Sequence, residues 1–202
     1  MFFRIVIACL AVAAAFALYQ IWTIGGPYRQ IANPAASFAV LEREGNKNPL
    51  TIVEFMHYDC AYCKDSHGVL VDYARSTPEI RLVTRAVPFE GGGAQRAAEL
   101  ALAAGLQGKF WEMDSALSQY KAPMDEKFYR ESAALYAIDY DRMTRDAEGD
   151  EVRKLAEDNI RAVYAAGVET TPAFMIGKTL YQLNAPLTLN DLIRMVREEQ
   201  AK

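Results

Sequence analysis

Strand signals in this chain fall into two groups, separated by a long segment without any. The first group contains Leu50–Met56, a mostly apolar run with β-branched residues at its centre, and Ile80–Val87. The second group is a hairpin at Ala173–Leu183 with a Gly-Lys turn. Between about residues 92 and 167 the pattern is helical only. This order predicts one sheet that takes strands from both ends of a domain and is interrupted by a block of helices.

The remaining elements are predicted to flank this sheet. Phe38–Leu41 is a candidate short strand, a helix is expected at Cys63–Ala74, and another at Thr188–Glu199. Without the helical block the order is β-β-α-β and then β-β-α, which indicates an α/β fold with a mixed central sheet and flanking helices. The block itself is predicted to contain Ala94–Leu106, Gly108–Gln119, Asp125–Tyr136, Tyr140–Glu148 and Asp150–Ala166.

The first residues are apolar enough to enter a membrane. From Ile5 to Ile24 the sequence carries no charge, and about 20 such residues can cross a bilayer as a helix. Arg4 and the amino terminus favour a cytoplasmic N-terminus and export of the rest to the periplasmic face of the inner membrane. A signal peptide cleaved near Ala15–Ala17 is the alternative. We therefore expect an anchor or signal peptide at residues 1–24, a linker at 25–35 and an exported domain at 36–202.

Composition narrows the classes of function. The net charge is −4, and without a basic excess no nucleic-acid partner is expected. Only three cysteines occur, so the chain is not a disulfide-rich scaffold. Cys9 lies in the apolar run, which leaves Cys60 and Cys63 as the pair in the exported part. An exported Cys-x-x-Cys pair meets an oxidising compartment.

The cysteine pair lies where a predicted strand ends and a helix begins. Residues three apart on a helix are neighbours, so Cys60 and Cys63 can close a disulfide. The N-terminus of a helix presents free N–H groups and a partial positive charge, and both favour a thiolate at Cys60. A thiolate there is a nucleophile in one direction and a good leaving group in the other. The pattern therefore predicts an exchangeable disulfide.

Two other interpretations stay open from the residues alone. His57, Cys60, Cys63 and His67 have the spacing H-x2-C-x2-C-x3-H, which could bind zinc or copper. Structural zinc sites usually take ligands from two separate elements, whereas these four residues come from one short segment. An inert staple would gain little from closing so short a loop. The simplest interpretation of the histidines is that His57 ends a strand and His67 lies on a solvated helix face.

These motifs resemble the DsbA-type thioredoxin-fold thiol–disulfide oxidoreductases. The resemblance covers about residues 36–200 and implies a thioredoxin fold with an all-helical insertion at about 92–166. Four stretches carry it: the acid-bearing strand Val53–Phe55, the cysteine segment Asp59–Lys64, the helical insertion Gln95–Leu117, and the loop and hairpin Gly167–Leu183.

The resemblance also implies roles for individual residues. Cys60 matches the attacking cysteine and Cys63 the resolving cysteine. Pro172 matches a cis-proline that would let the backbone of Thr171 pair with an extended substrate chain, although the residues alone leave a trans turn equally open. Glu54 matches a buried acid that could take and return protons as Cys63 changes state. The alternative for Glu54 is an outward position on an edge strand.

The segment also departs from the family pattern. Ala61 and Tyr62 stand where the best-known strong oxidants have Pro-His, and a tyrosine cannot carry positive charge. Cys60 is therefore expected to be less acidic, and its disulfide less oxidising, unless His57 supplies charge. Thr171 before the proline also occurs in isomerase and reductase relatives, so the direction of electron flow stays open.

The leading prediction is an oxidase whose substrates are reduced or misoxidised exported proteins. We expect the enzyme to use neither a cofactor nor a resident metal ion. The resemblance implies reoxidation by a membrane partner that hands electrons to quinone. A disulfide isomerase or reductase of the same fold, and a copper or zinc carrier using the His/Cys cluster, are the alternatives.

Overall fold

The central sheet of this computed structural model takes its strands from both ends of the domain, as the element order predicts. The structure describes residues 26–89 and 93–202. In this part of the chain five strands form a mixed sheet: β1 (Val40–Leu41), β2 (Leu50–Met56), β3 (Ile80–Ala86), β4 (Ala173–Ile176) and β5 (Thr179–Gln182). Their order is β1-β3-β2-β4-β5. Only β2 and β3 run parallel, and the other neighbours are antiparallel.

Helices cover both faces of this sheet. A 3₁₀ turn at Ser37–Ala39 occupies the first half of the predicted strand Phe38–Leu41, which shortens β1 to two residues. The helices are α1 (residues 26–32), α2 (Ala61–Ser76), α3 (Ala94–Gly105), α4 (Phe110–Gln119), α5 (Glu126–Leu135), α6 (Tyr140–Ala147), α7 (Asp150–Ala166) and α8 (Leu189–Gln200). In the described residues, the predicted helical block corresponds to α3 to α7, between β3 and β4.

The central strand β2 is buried on both faces, which explains its nearly continuous apolar sequence. Ile52 faces one side of the sheet, in the core cluster of Leu70 from α2 and Leu192 from α8. Val53 and Phe55 face the other side, in the cluster that holds Ala162 of α7 and Ile31 of α1. Because side chains alternate along a strand, Glu54 lies on the same side as Ile52.

Residues 26–32 differ from the predicted linker, because they are helical and pack on the domain. Ile31 is 2% exposed. The fully buried Arg85 of β3 donates hydrogen bonds to the main-chain oxygens of Gln30 and Ile31, and its Nη1 lies 2.5 Å from Asp158 Oδ2 of α7. The packed domain therefore begins before residue 36, because a buried guanidinium joins α1, β3 and α7.

The run Ile5–Ile24, predicted to be an anchor or signal peptide, lies outside the described residues. Residues 90–92, near the predicted start of the helical insertion, lie outside them as well. Across residues 26–89 and 93–202, every helix is too short or too polar to cross a bilayer.

Candidate active site

Cys60 and Cys63 form a disulfide at the N-terminus of α2. Cys60 is the N-cap residue, so α2 starts at Ala61 instead of the predicted Cys63. The Cys60 Sγ accepts a hydrogen bond from the main-chain N–H of Cys63 at 3.1 Å. The first turn of α2 contains no acidic residue that would cancel the partial positive charge of the helix end. A thiolate at Cys60 in the reduced protein would face this charge and these N–H groups.

The two sulfur-bearing residues differ in access. Cys60 is partly exposed, whereas Cys63 is only 2% exposed. Ala61 and Tyr62 between them are exposed. An incoming thiolate therefore has access to Cys60 before Cys63.

The loop before β4 lies beside the cysteine segment. Its Thr171–Pro172 peptide bond is cis, as the family resemblance implies. Phe55 of β2 pairs with Ala173 of β4 in antiparallel register, so Pro172 lies next to the carboxyl end of β2. The chain continues from that end of β2 to the cysteines.

Glu54 is buried on the central strand and does not point outward from an edge strand. It is 3% exposed. Its Oε2 lies 2.8 Å from His67 Nδ1 and accepts a hydrogen bond from Thr84 Oγ1 at 3.2 Å. The interpretation of Glu54 as an outward residue is therefore wrong, and a buried acid is present under α2.

His67 is also buried, at 4% exposure, so the prediction of a solvated position is wrong. Its Nε2 lies 2.8 Å from Asp114 Oδ2 of α4. Burial alone would lower the pKa of His67, but the carboxylates of Asp114 and Glu54 hold this pKa well above its usual value. His67 is therefore an imidazolium between two carboxylates.

Tyr58 completes this set of contacts. Burial and the charge of Asp114 raise the pKa of Tyr58 well above its usual value, so its phenol keeps the proton. The phenol O–H donates a hydrogen bond to Asp114 Oδ1 at 2.6 Å. We call the contacts from Thr84 through Glu54, His67 and Asp114 to Tyr58 the buried polar network.

Nothing in the cysteine motif points to Asp114, Tyr58 or Thr84. Helical periodicity offers a signal for one of them, because Asp114 falls on the face of α4 that also carries Phe110 and Leu117. A carboxylate on an apolar helix face requires a buried partner. Spacing offers a signal for His67, which lies four residues after Cys63 and hence on the same side of α2.

His57 does not join the cysteines in a metal site. Its ring packs against Phe89 with centroids 4.9 Å apart. Burial lowers the pKa of His57, and the negative charge of Asp59 offsets this only in part. The ring is therefore neutral at pH 7 and gives Cys60 no positive charge. Over the described residues, no group of three or more His, Cys, Asp or Glu side chains is placed to hold a metal ion. The H-x2-C-x2-C-x3-H spacing does not bring its four members to one centre.

The helical block is attached directly to the cysteine segment. Asp59, the residue before Cys60, accepts a hydrogen bond from the main-chain N–H of Ala94 at 2.8 Å, at the N-terminus of α3. On the other side of the pair, Lys64 Nζ donates to the main-chain oxygen of Tyr120, after α4, at 2.7 Å. The helices α3 and α4 therefore fix the position of the cysteine segment.

Comparisons with known proteins agree with this geometry. A protein-family model described as thioredoxin matches residues 45–197. The chain belongs to the thioredoxin family. A thioredoxin-like oxidoreductase from Silicibacter pomeroyi has a similar structure, with a TM-score of 0.75 and 27% sequence identity. The match covers 86% of this chain and 98% of that protein.

Two more distant structures share the thioredoxin fold. The thiol–disulfide exchange protein alpha-DsbA2 from Wolbachia pipientis has a TM-score of 0.74 and 22% identity, over 92% of this chain and 98% of that one. A periplasmic thioredoxin-like protein from Salmonella enterica has a TM-score of 0.68 and 23% identity, over 87% and 97%. The predicted thioredoxin fold and the DsbA-type resemblance are confirmed. The chain has the fold and the cysteine pair of a thiol–disulfide oxidoreductase.

The curated relatives are Na⁺/H⁺ antiporters. NhaA of Herminiimonas arsenicoxydans is 29% identical over 130 residues, and NhaA 1 of Salinispora arenicola is 33% identical over 133 residues. Each match covers 63% of this chain but only 20% of the antiporter. The aligned part thus spans about a fifth of these relatives' length, and the likeness concerns one segment of them.

Proposed function

We propose that this protein is an exported oxidase that passes its Cys60–Cys63 disulfide to cysteines of substrate proteins. The observation that carries the proposal is the disulfide at the start of α2, with the partly exposed Cys60 in front of the buried Cys63. The helix end favours Cys60 as a thiolate and hence the reduced form of the pair, and a disulfide with a stabilised reduced form is an oxidant.

The reaction proceeds by two displacements. A substrate thiolate attacks Cys60 Sγ, the bond to Cys63 breaks, and its electron pair stays on Cys63. A second substrate thiolate then attacks the substrate sulfur of the mixed disulfide, and Cys60 leaves as a thiolate. The substrate loses two electrons and gains a disulfide, and the Cys60–Cys63 pair gains the two electrons.

The loop before β4 is proposed to align the substrate chain. The side-chain oxygen of Gln182 accepts hydrogen bonds from the main-chain N–H groups of Glu169 at 2.7 Å and Thr170 at 2.9 Å, which holds the loop in place. The backbone of Thr171, next to the cis bond, would pair with an extended segment of the substrate by strand addition.

Export and membrane attachment are supported by the uncharged run Ile5–Ile24 behind Arg4. The substrates would then be reduced or misoxidised exported proteins on the periplasmic side. Reoxidation of the pair requires an electron acceptor, which we propose to be a quinone-linked membrane protein.

A disulfide isomerase or reductase of the same fold is the second candidate. Tyr62 cannot carry positive charge, and the pKa of His57 is lowered, so neither residue adds to the charge of the helix end. A weaker oxidant of this kind would suit reshuffling or reduction of disulfides.

The order of attack is tested by trapping mixed disulfides in cells. The variant Cys63→Ser should accumulate mixed disulfides between Cys60 and exported proteins, because the resolving thiol is absent. The matched variant Cys60→Ser should accumulate none. If Cys63→Ser accumulates none while Cys60→Ser does, the assigned order of attack is wrong.

The direction of electron flow is tested by equilibrium with glutathione. An oxidase should have a reduction potential well above that of thioredoxin, about −270 mV. A value at or below that level would favour the reductase and contradict the oxidase proposal.

A further inference from the structure

The buried polar network reaches from the side of α2 behind the disulfide to a cavity at the protein surface. The cavity has a volume of about 160 Å³ and lies between α2 and α4, which leaves room for several water molecules. His67 and Asp114 lie at its inner end, and the exposed Gly68, Asp72 and Arg75 lie at its outer end. The cavity therefore connects the buried histidine with solvent.

The two nitrogens of His67 contact different carboxylates. Nδ1 lies 2.8 Å from Glu54 Oε2, on the side of the sheet. Nε2 lies 2.8 Å from Asp114 Oδ2, on the side of the cavity. An imidazolium with one partner on each nitrogen can release a proton toward either partner and take it up again.

The Oδ2 atom of Asp114 has remaining capacity as an acceptor. It is buried and accepts no well-aligned hydrogen bond among the described residues, although Nε2 of His67 lies close to it. Buried polar atoms rarely remain without a partner unless they bind water or have a functional role. A water molecule in the adjoining cavity would satisfy this oxygen and bring a proton donor to the network.

The other end of the network lies close to the resolving cysteine. Cys63 and His67 are four residues apart on α2, so they are neighbours on one face, about 5 to 6 Å apart at Cβ. Glu54 and Met56 lie on the same face of β2, and Met56 shares a core cluster with Cys63. Glu54 contacts His67 at 2.8 Å, and it is therefore placed on the side of α2 that carries both His67 and Cys63.

We propose that His67 is a positioning residue that conducts a proton between the α2–α4 cavity and Glu54, and thereby sets the protonation of Cys63. The inference rests on the proposed exchange at Cys60–Cys63. When a thiolate attacks Cys60, Cys63 leaves with the electron pair. Nδ1 of the His67 imidazolium gives its proton to the Glu54 carboxylate, and Glu54 passes a proton on to Cys63. The neutral His67 ring keeps its Nε2 proton and later regains the lost proton from solvent through the cavity. The proton returns by the same route when the disulfide forms again.

The charged surroundings of His67 come from several elements. Glu54 faces it from β2, and Asp114 faces it from α4 with Tyr58 behind. The cavity mouth adds charges of both signs. Burial by itself would lower the pKa of His67, and the two carboxylates on its ring nitrogens together outweigh that effect. The charged cavity residues on α2 itself are Lys64, Asp72 and Arg75.

The test compares His67→Gln and Asp114→Asn with the unmodified protein. Both variants keep hydrogen-bonding groups of similar size but block proton passage. The measurement is the stopped-flow rate of disulfide reduction by dithiothreitol from pH 6 to 9, in water and in deuterium oxide. We expect each variant to be about tenfold slower or more, with an altered pH profile; direct general acid catalysis contributes roughly 10²–10⁴-fold, and His67 acts through Glu54. The double variant should be no slower than the slower single variant, because both act on one path.

The control is Asp65→Asn, which removes an exposed carboxylate from the same helix. It should react like the unmodified protein. Rates of His67→Gln and Asp114→Asn equal to that of this control, or additive losses in the double variant, would overturn the proposal. The unmodified protein supplies a readout that needs no variant: nitrogen-15 NMR of the His67 ring should differ between the oxidised and reduced states. Identical shifts from pH 5 to 9 would overturn it as well.

These outcomes are separate from a failure of the proposed function. Dithiothreitol reduces an accessible disulfide whether or not the protein oxidises other proteins. A chain that traps no substrates but shows the expected variant rates would lose its assignment as an oxidase and retain the proton path.

Discussion

Reduction of the Cys60–Cys63 pair should change the pH dependence of folding stability. In the reduced protein, the thiolate of Cys60 at the N-cap of α2 would accept the N–H of Cys63, which the Sγ already accepts at 3.1 Å in the disulfide. A hydrogen bond to a charged group contributes about 1.5 to 3 kcal/mol, and a helix end about 0.3 to 1 kcal/mol. Together we expect about 2 to 4 kcal/mol in favour of the folded thiolate.

The sign follows from the protonation states. These interactions favour the thiolate in the folded protein, so folding lowers the affinity of Cys60 for its proton. The stabilisation is complete above the thiol pKa of the unfolded chain, about 8.5, and is lost as the pH falls through the folded value. The oxidised protein has no such titration at Cys60. The difference in unfolding free energy, reduced minus oxidised, should therefore rise by about 2 to 4 kcal/mol from pH 5 to pH 9.

The assay is urea unfolding followed by circular dichroism, with a phosphine reductant that works across this pH range. Loss of the short disulfide loop adds a constant of about 2 kcal/mol in favour of the oxidised form, which does not depend on pH. Cys60→Ala provides the control, because it retains the thiol of Cys63 and should not show the rise. A flat difference between pH 5 and 9, or an equal rise in Cys60→Ala, would refute the assignment of the stabilised thiolate to Cys60.

Two further predictions concern packing around the site. Arg85→Met should lower the unfolding free energy, measured by urea titration, by about 3 to 5 kcal/mol, because it leaves the Asp158 carboxylate without its buried partner. The control is Arg81→Met, at a more exposed arginine that also donates a hydrogen bond to α1, and it should cost about 1 kcal/mol in the same titration. Gly105→Ala should destabilise by about 1 to 3 kcal/mol, despite the better helix propensity of alanine, because the added Cβ would overlap the ring of Phe38; unchanged thermal melting would contradict this packing.

Local patterns in the chain predict most of the fold. Leu50–Met56 is apolar and β-branched, so it reads as a buried strand, and the observed β2 has the predicted bounds. Asp150–Ala166 likewise has its predicted ends, because helical periodicity and the left-handed Gly167 that ends the helix are local features. The helix boundary at the cysteines shifted by two residues, because whether Cys60 caps the helix depends on its backbone conformation.

Other features depend on contacts between distant segments. Residues 26–32 contain a turn-forming Gly-Pro pair and suggest a linker, yet Arg85 and Asp158, far along the chain, hold them against the sheet. The sequence also leaves Thr171–Pro172 open between cis and trans, and only the family resemblance favours the cis form that the structure shows.

The sequence by itself determined where the exchangeable pair lies, because a helix that starts beside Cys60 brings free N–H groups and partial positive charge to that residue whatever surrounds it. The tertiary structure alone decided that Glu54, His67 and Asp114 meet. These side chains come from a strand and two helices, and each is costly to bury alone. These charged side chains can be buried together only because the packing of α2 between β2 and α4 places the His67 cation between the carboxylates of Glu54 and Asp114.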